Sequence, residues 1–106
     1  MNHYKIEDFF KGWVVGNFNP TLHFTSDFEV GVKFFNAGDI EPAHKQILAT
    51  EITIVIDGVI RLGQNTYTRG DIIEIPPQEV ADFESLSPSS LVCIKFPSLP
   101  NDKVVI

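Results

Sequence analysis

Apolar and polar residues alternate in short runs along most of the chain, which is the pattern of β-strands with one buried face. The first clear run covers residues 29–35 and ends at the turn residues 36–39. Further runs cover residues 51–56, 59–62, 66–68, 72–75, 82–84 and 91–96. Only residues 4–11 favour a helix. The pattern therefore predicts an all-β protein of antiparallel strands.

Turn residues between these runs predict how the strands connect. Asp57-Gly58 follows the run at 51–56, and this dipeptide favours a two-residue type I′ hairpin, because glycine adopts a positive φ without strain. Pro76-Pro77 ends the run at 72–75, since proline cannot donate a ladder hydrogen bond. So many antiparallel strands must hide their edges. Closure into a barrel or jelly roll would do this.

The chain length of 106 residues predicts a single domain over residues 1–106. Hydrophobic residues make up 43% of the chain, which is enough for one core without disulfides or a structural metal. A domain of this size buries a smaller share of its surface than a large one. We therefore expect a homodimer that shares a sheet face. The proline-bearing arm at 97–100 is expected to lie on the surface or on the second subunit.

The charge of the chain argues against several classes of partner. A net charge of −6, with no cluster of Lys or Arg, disfavours nucleic acid and anionic membranes. No apolar stretch approaches the ~20 residues of a membrane span. The first eight residues are polar, where a secretion signal would be basic and then apolar. The single cysteine, Cys93, lies among aliphatic residues and is interpreted as a buried structural thiol. These features indicate a cytoplasmic protein.

Two segments carry a resemblance to a known family. The first, at about 38–58, runs from Gly38 through His44, Gln46 and Glu51 to Gly58. It resembles the first motif of the cupin superfamily, in which two histidines and a glutamate stand between two glycines. The second, at about 70–84, opens with residues 70–77 and resembles the start of the second cupin motif. The resemblance implies a single-domain cupin-type antiparallel β-barrel, or jelly roll, of the small mannose-6-phosphate-isomerase-like kind.

The resemblance also implies a divalent metal inside the barrel, held by two histidines and a glutamate of the first motif and a histidine of the second. Here Gln46 occupies the second histidine position. Direct counting puts Ala81 at the last ligand position, whereas a loop longer by one residue would put Asp82 there. A set of His44, Gln46, Glu51 and Asp82 would hold a divalent metal weakly, because an amide oxygen is a poorer donor than imidazole for first-row ions.

Two functions stay open for such a protein. In the first, His44 and Glu51 are catalytic residues that move a proton beside a carbonyl, as an isomerase or epimerase of a carbohydrate or sugar nucleotide would. In the second, the chain is a non-catalytic ligand-binding or assembly module with a decayed metal site. A pair that faces an open cavity favours the first function, and a filled barrel favours the second. Trp13 is interpreted as a packing residue.

Overall fold

The computed structural model describes all 106 residues and consists of two five-stranded antiparallel sheets. The strands are β1 (Trp13–Val15), β2 (Glu29–Phe35), β3 (Ile40–Gln46), β4 (Thr50–Asp57), β5 (Val59–Leu62), β6 (Asn65–Thr68), β7 (Ile72–Ile75), β8 (Ala81–Ser85), β9 (Ser89–Phe96) and β10 (Lys103–Val105). The first sheet has the order β1-β2-β9-β4-β7, and the second has the order β10-β3-β8-β5-β6. The predicted all-β class is confirmed.

The N-terminal stretch contains two single turns of 3-10 helix, Ile6–Asp8 and Phe10–Gly12, where the sequence favoured a helix. No helix of the structure is long and apolar enough to cross a membrane. Three strands were not predicted, namely β1, β3 and β10. They are short, or they carry charged residues and a proline, and so they lack the alternation that marks the other strands.

The inner faces of the two sheets pack around one apolar cluster. Its members come from both sheets: Val55, Ile60, Phe83, Leu91 and Cys93. Such a shared core is what holds two facing sheets together. The remaining part of the interior is left open, and it is there that the polar inward-facing side chains lie.

The connection at Asp57-Gly58 is not the predicted hairpin. Strand β4 pairs with β7 and β9, while β5 pairs with β6 and β8, so the chain changes sheets at Gly58. Gly58 has a φ of +89°, and a Cβ there would lie 2.2 Å from the carbonyl oxygen of Pro88. Glycine is needed at this corner between the sheets, because the backbone at Gly58 approaches the backbone at Pro88 too closely for any side chain. The prediction was wrong because a local turn signal does not specify the next pairing partner. The two-residue hairpin joins β5 to β6 instead.

The proline-bearing arm packs against its own chain. The hydroxyl of Ser98 is almost fully buried; it donates to Glu29 Oε1 and accepts the backbone N–H of Asn17, each at 2.9 Å. Beyond the arm, β10 pairs with β3 along residues 44–46. Between them, the Asp102 carboxylate, on a residue only 8% exposed, accepts the backbone N–H groups of Leu48 and Ala49 at 3.0 Å each. The C-terminal segment thereby braces the strand that carries His44 and Gln46.

Replacing Asp102 with alanine should lower the free energy of unfolding by about 2–3 kcal/mol, because two backbone N–H groups lose a charged acceptor. Asp27 is exposed and makes no side-chain hydrogen bond, so Asp27→Ala is a matched control with an expected change below about 0.5 kcal/mol. Urea denaturation at pH 7 measures both changes. Equal losses in the two variants would contradict this role of Asp102.

The outer face of the first sheet is apolar across four strands. Thr53 and Val55 face inwards on β4, so the intervening isoleucines face outwards. Cross-strand pairing aligns one row of apolar side chains on this face, Val32, Val92, Ile54 and Ile72. Ile72 in this row is 66% exposed. The homodimer stays a prediction, and we expect the second copy to pack on this face.

Ile72→Lys should shift the protein towards a monomer, because it places a charge within this apolar row. Thr66→Lys adds the same charge at an exposed position of β6 in the other sheet, and it should leave the molecular mass unchanged. Size-exclusion chromatography with light scattering measures the mass of each variant. A wild type that is monomeric in the same measurement would refute the homodimer.

Candidate functional site

An open cavity of about 340 Å³ lies inside the barrel beside the apolar cluster. Side chains of both sheets form its walls, with β2, β4 and β9 contributing from the first sheet and β3, β8 and β10 from the second. The volume falls at the lower end of the range for small-molecule sites, about 300–1,000 Å³. The barrel is therefore not filled by its own side chains.

His44 on β3 and Glu51 on β4 line this cavity from opposite sheets. The ring nitrogen Nδ1 of His44 lies 2.9 Å from the carbonyl oxygen of Pro42. A carbonyl can only accept, so Nδ1 donates the proton, and Nε2 of the neutral ring is left as an acceptor. The structure thus brings both predicted catalytic residues to one cavity, and the contact with Pro42 leaves Nε2 of the histidine without a protein partner.

The Glu51 side chain is 14% exposed, and its Oε1 lies 4.0 Å from Nζ of Lys95. Burial raises the pKa of the Glu51 carboxyl, and the positive charge of Lys95 offsets this only in part. A carboxyl in this position keeps its proton to a higher pH than usual. Glu51 can therefore donate a proton as well as accept one.

Gln46 and Ala81 line the same cavity at the positions where the cupin pattern has histidines. The Gln46 side chain is 4% exposed, and its Nε2 is buried without a hydrogen-bond partner. Ala81 pairs directly with His44 across β8 and β3. Ala81, the position that direct counting gives, therefore faces the cavity, and its side chain has no donor atom.

Asp82 lies outside the cavity, so its assignment as a metal ligand is wrong. Strand alternation is the cause: Ala81 and Phe83 face inwards on β8, so Asp82 and Glu84 share the outer face. There Asp82 Oδ1 lies 3.0 Å from Nη1 of Arg61, and Glu84 lies 3.6 Å from the same guanidinium. The hydrogen bond from Arg61 lowers the pKa of the Asp82 carboxyl.

The remaining donors do not fit a resident divalent metal. No group of three or more His, Cys, Asp or Glu side chains in the structure is placed to hold one. Of the implied set, only His44 and Glu51 offer strong donors, and the ammonium of Lys95 beside Glu51 repels a cation. The chemistry of the cavity therefore rests on its own side chains.

Five of the six lysines of the chain line this cavity, namely Lys11, Lys33, Lys45, Lys95 and Lys103. They are accompanied by three carboxylates, Glu41, Glu51 and Glu79. Elsewhere the chain carries three basic side chains and eleven carboxylates. Positive charge is therefore concentrated around the cavity of an acidic protein, with Lys11 and Lys103 exposed at its rim.

Trp13 forms the part of the cavity wall that two of these lysines contact. Its ring covers Gly31, where a Cβ would lie 2.7 Å from the indole. The Nζ atoms of Lys33 and Lys95 lie 4.7 Å and 5.0 Å from the ring centroid, within the range of cation–π contacts. Trp13 packs against the core cluster, as interpreted, and it also faces the cavity.

The lysines were missed because a charged residue on a half-buried strand is expected to face solvent. Lys33 shares its face of β2 with Gly31 and Phe35, and Lys95 shares its face of β9 with Leu91 and Cys93. The only signal for these lysines in the sequence was that each stands two residues along its strand from residues of the same face. This spacing shows which residues share a face, but it does not show which face is buried.

Cys93 is buried, as predicted, with its Sγ 4.0 Å from Oγ1 of Thr53. Burial raises the pKa of the Cys93 thiol to about 12. Almost no thiolate exists at neutral pH, so the thiol is not a nucleophile even though it lines the cavity.

No protein-family model matches the sequence, and no curated protein matches it. Solved structures do share the fold. An uncharacterized conserved protein with a double-stranded β-helix domain from Klebsiella pneumoniae has a TM-score of 0.70 and 20% identity, over 76% of this chain and 71% of its own. An RmlC-like cupin from Shewanella frigidimarina has a TM-score of 0.65 and 15% identity, over 71% and 70%. A sugar phosphate isomerase of the cupin superfamily from Silicibacter pomeroyi has a TM-score of 0.62 and 19% identity, over 67% and 51%.

These similarities define the fold of the chain. The chain has the double-stranded β-helix fold of the cupin superfamily, as the two sequence motifs implied. At such low identity the similarity establishes the fold alone. The chemistry of this protein follows from the side chains that line its cavity.

Gln46 and Ala81 stand where the cupin pattern has histidines. The double substitution Gln46→His with Ala81→His should therefore create a zinc site. We expect affinity to rise by roughly tenfold or more with each substitution, because each imidazole adds a strong donor. Gln46→His with Asp82→His is the matched control, since Asp82 faces outwards, and it should bind no better than Gln46→His alone. Calorimetry with zinc measures the series. Equal gains from histidine at positions 81 and 82 would show that the assigned faces are wrong.

Proposed function

We propose that the chain binds a small carbohydrate-like molecule in the barrel cavity and moves a proton on it without a metal, as an isomerase or epimerase does. One observation carries the proposal. A histidine whose Nδ1 donates to a backbone carbonyl and a carboxyl with a raised pKa line the same open cavity from opposite sheets. The similarity in fold to a sugar phosphate isomerase supports the carbohydrate class.

The two residues supply the two proton transfers that such a reaction needs. Nε2 of His44 takes the proton from the carbon beside the carbonyl, while Glu51 gives its proton to the carbonyl oxygen. The first half of the reaction therefore gives a neutral enediol, with His44 as an imidazolium and Glu51 as a carboxylate. In the second half, the imidazolium gives its proton to the neighbouring carbon while the Glu51 carboxylate takes the hydroxyl proton on the original carbon, which gives the isomer and restores both residues. The epimer forms when the enediol presents the opposite face of the original carbon to the imidazolium and Glu51 takes the proton of the other hydroxyl.

The surroundings stabilise both charges that form. The Pro42 carbonyl accepts the Nδ1–H of His44 and so stabilises the imidazolium. The ammonium of Lys95, 4.0 Å from Glu51, stabilises the carboxylate. Apolar side chains of the wall, Leu62, Ile75 and Leu91, limit the access of water to the reacting atoms.

The alternative function is a non-catalytic ligand-binding module. The observation that favours it is the absence of strong metal donors at Gln46 and Ala81. Such a module would bind the same class of molecule without exchanging its carbon-bound hydrogens.

Exchange with solvent deuterium separates the two functions. The protein is incubated in D₂O with a panel of aldoses, ketoses, uronic acids and sugar phosphates, and proton NMR follows the hydrogen beside the carbonyl. We expect the wild type to exchange it, and both His44→Gln and Glu51→Gln to exchange it at least about 100-fold more slowly. Glu7→Gln, at an exposed position, is the control and should match the wild type.

Thermal melting with the same panel gives the second readout. A compound that raises the melting temperature but exchanges no hydrogen would favour the binding module. A protein that neither binds nor exchanges any member of the panel would contradict both functions.

A further inference from the structure

We propose that the cavity recognises an anionic group, a phosphate or a carboxylate, on its small organic ligand, and that Lys33 and Lys95 at the Trp13 ring bind this group. The inference rests on the proposed function in using the same cavity, and it names the class of molecule that enters. It does not depend on whether the molecule is then converted.

The distribution of charge is the first support. The chain is acidic, with a net charge of −6, yet the cavity holds more lysines than carboxylates. Lysines are ordinarily spread over the solvated surface, where their hydration is complete. Walls of low dielectric focus the field of charges in a cleft, so the cavity attracts anions from solution while the outer surface repels them.

Lys33 is incompletely compensated. Its Nζ donates to the carbonyl oxygen of Lys11 at 2.6 Å and lies against the Trp13 ring. No carboxylate lies within ion-pair distance of it, and burial lowers the pKa of its ammonium. A partly buried cation with only neutral partners is stabilised by an incoming anion.

Lys95 has donors left for a ligand. Its Nζ lies 4.0 Å from Glu51, which is longer than a hydrogen bond, so the pair does not consume its three N–H groups. Because Lys33 and Lys95 both contact the Trp13 indole, their two positive charges lie close together in the cavity wall. The charge of Lys103 on β10 also repels the Lys33 ammonium, although Glu41 lies 3.8 Å from Nζ of Lys103.

Gln46 supplies an independent observation. Its amide Nε2 is buried, has no partner in the protein and belongs to a side chain that lines this cavity. An unpaired buried N–H costs about 1–3 kcal/mol, so native proteins rarely retain one. An oxygen of the bound ligand would accept this hydrogen bond. The amide N–H and the ammonium groups are all donors, which is the complement that an anionic acceptor needs.

The intrinsic fluorescence of Trp13, the only tryptophan of the chain, tests the inference directly. Inorganic phosphate and acetate are titrated at constant ionic strength. We expect a saturable change in Trp13 emission, because an anion at Lys33 and Lys95 alters the two ammonium groups that contact the ring. Lys33→Gln and Lys95→Gln should each weaken phosphate binding about tenfold. Lys5→Gln, at the one lysine outside the cavity, should leave it unchanged.

Matched organic ligands test the class of molecule. Calorimetry compares glucose with glucose 6-phosphate and with glucuronate, which differ by one phosphate or one carboxylate group. We expect the preferred anion to bind at least tenfold more tightly than glucose, and its affinity to fall with added sodium chloride. Whichever of the two binds more tightly identifies the anionic group. Lys33→Gln removes the preference without touching Glu51, so it remains informative if Lys95→Gln fails to fold.

Two outcomes would overturn the inference. One is glucose binding as tightly as both anions, which would leave the proposed small-molecule function intact. The other is the absence of any phosphate- or acetate-dependent change at Trp13. Tight binding of an anionic sugar without hydrogen exchange would support this inference and contradict the catalytic function, so the two proposals fail separately.

Discussion

The placement of Glu51 and Lys95 in the cavity depends on strand alternation within two sheets that face each other. Because successive side chains point to opposite faces, placing Val55 and Leu91 in the core also places Glu51 and Lys95, four residues away on β4 and β9, inside the barrel. A slip of one residue would reverse both faces at once. The apolar end of the interior therefore determines which charges occupy the other end.

Charged groups inside a protein are costly unless they are compensated, and here the compensation is partial. Lys95 and Glu51 pair at a long distance, Lys33 has only a carbonyl and an aromatic ring, and the Gln46 amide has an unpaired donor. A core selected for stability alone would hold apolar side chains at these positions. Groups that are half satisfied in this way are typical of sites that a ligand completes.

The cupin pattern that the sequence resembles places a metal cation in the barrel, where its charge stabilises an anionic group of the substrate. This chain keeps His44 and Glu51, has Gln46 and Ala81 at the other positions, and carries ammonium groups around the same space. Lysines on β2, β9 and β10 supply positive charge at this site. The same barrel can then orient an anionic molecule with fixed N–H donors.

The sequence by itself determined the all-β class and most of the strands, which follow from local periodicity. The resemblance of two segments to the cupin motifs implied that His44 and Glu51 share one site. Only the tertiary structure decided that Gly58 joins two sheets, that Asp82 faces Arg61 outside, and that Lys33 and Lys95 face inwards. The reason is that alternation gives the residues that share a face, but which face is buried depends on strands that meet only after folding, far apart in the sequence.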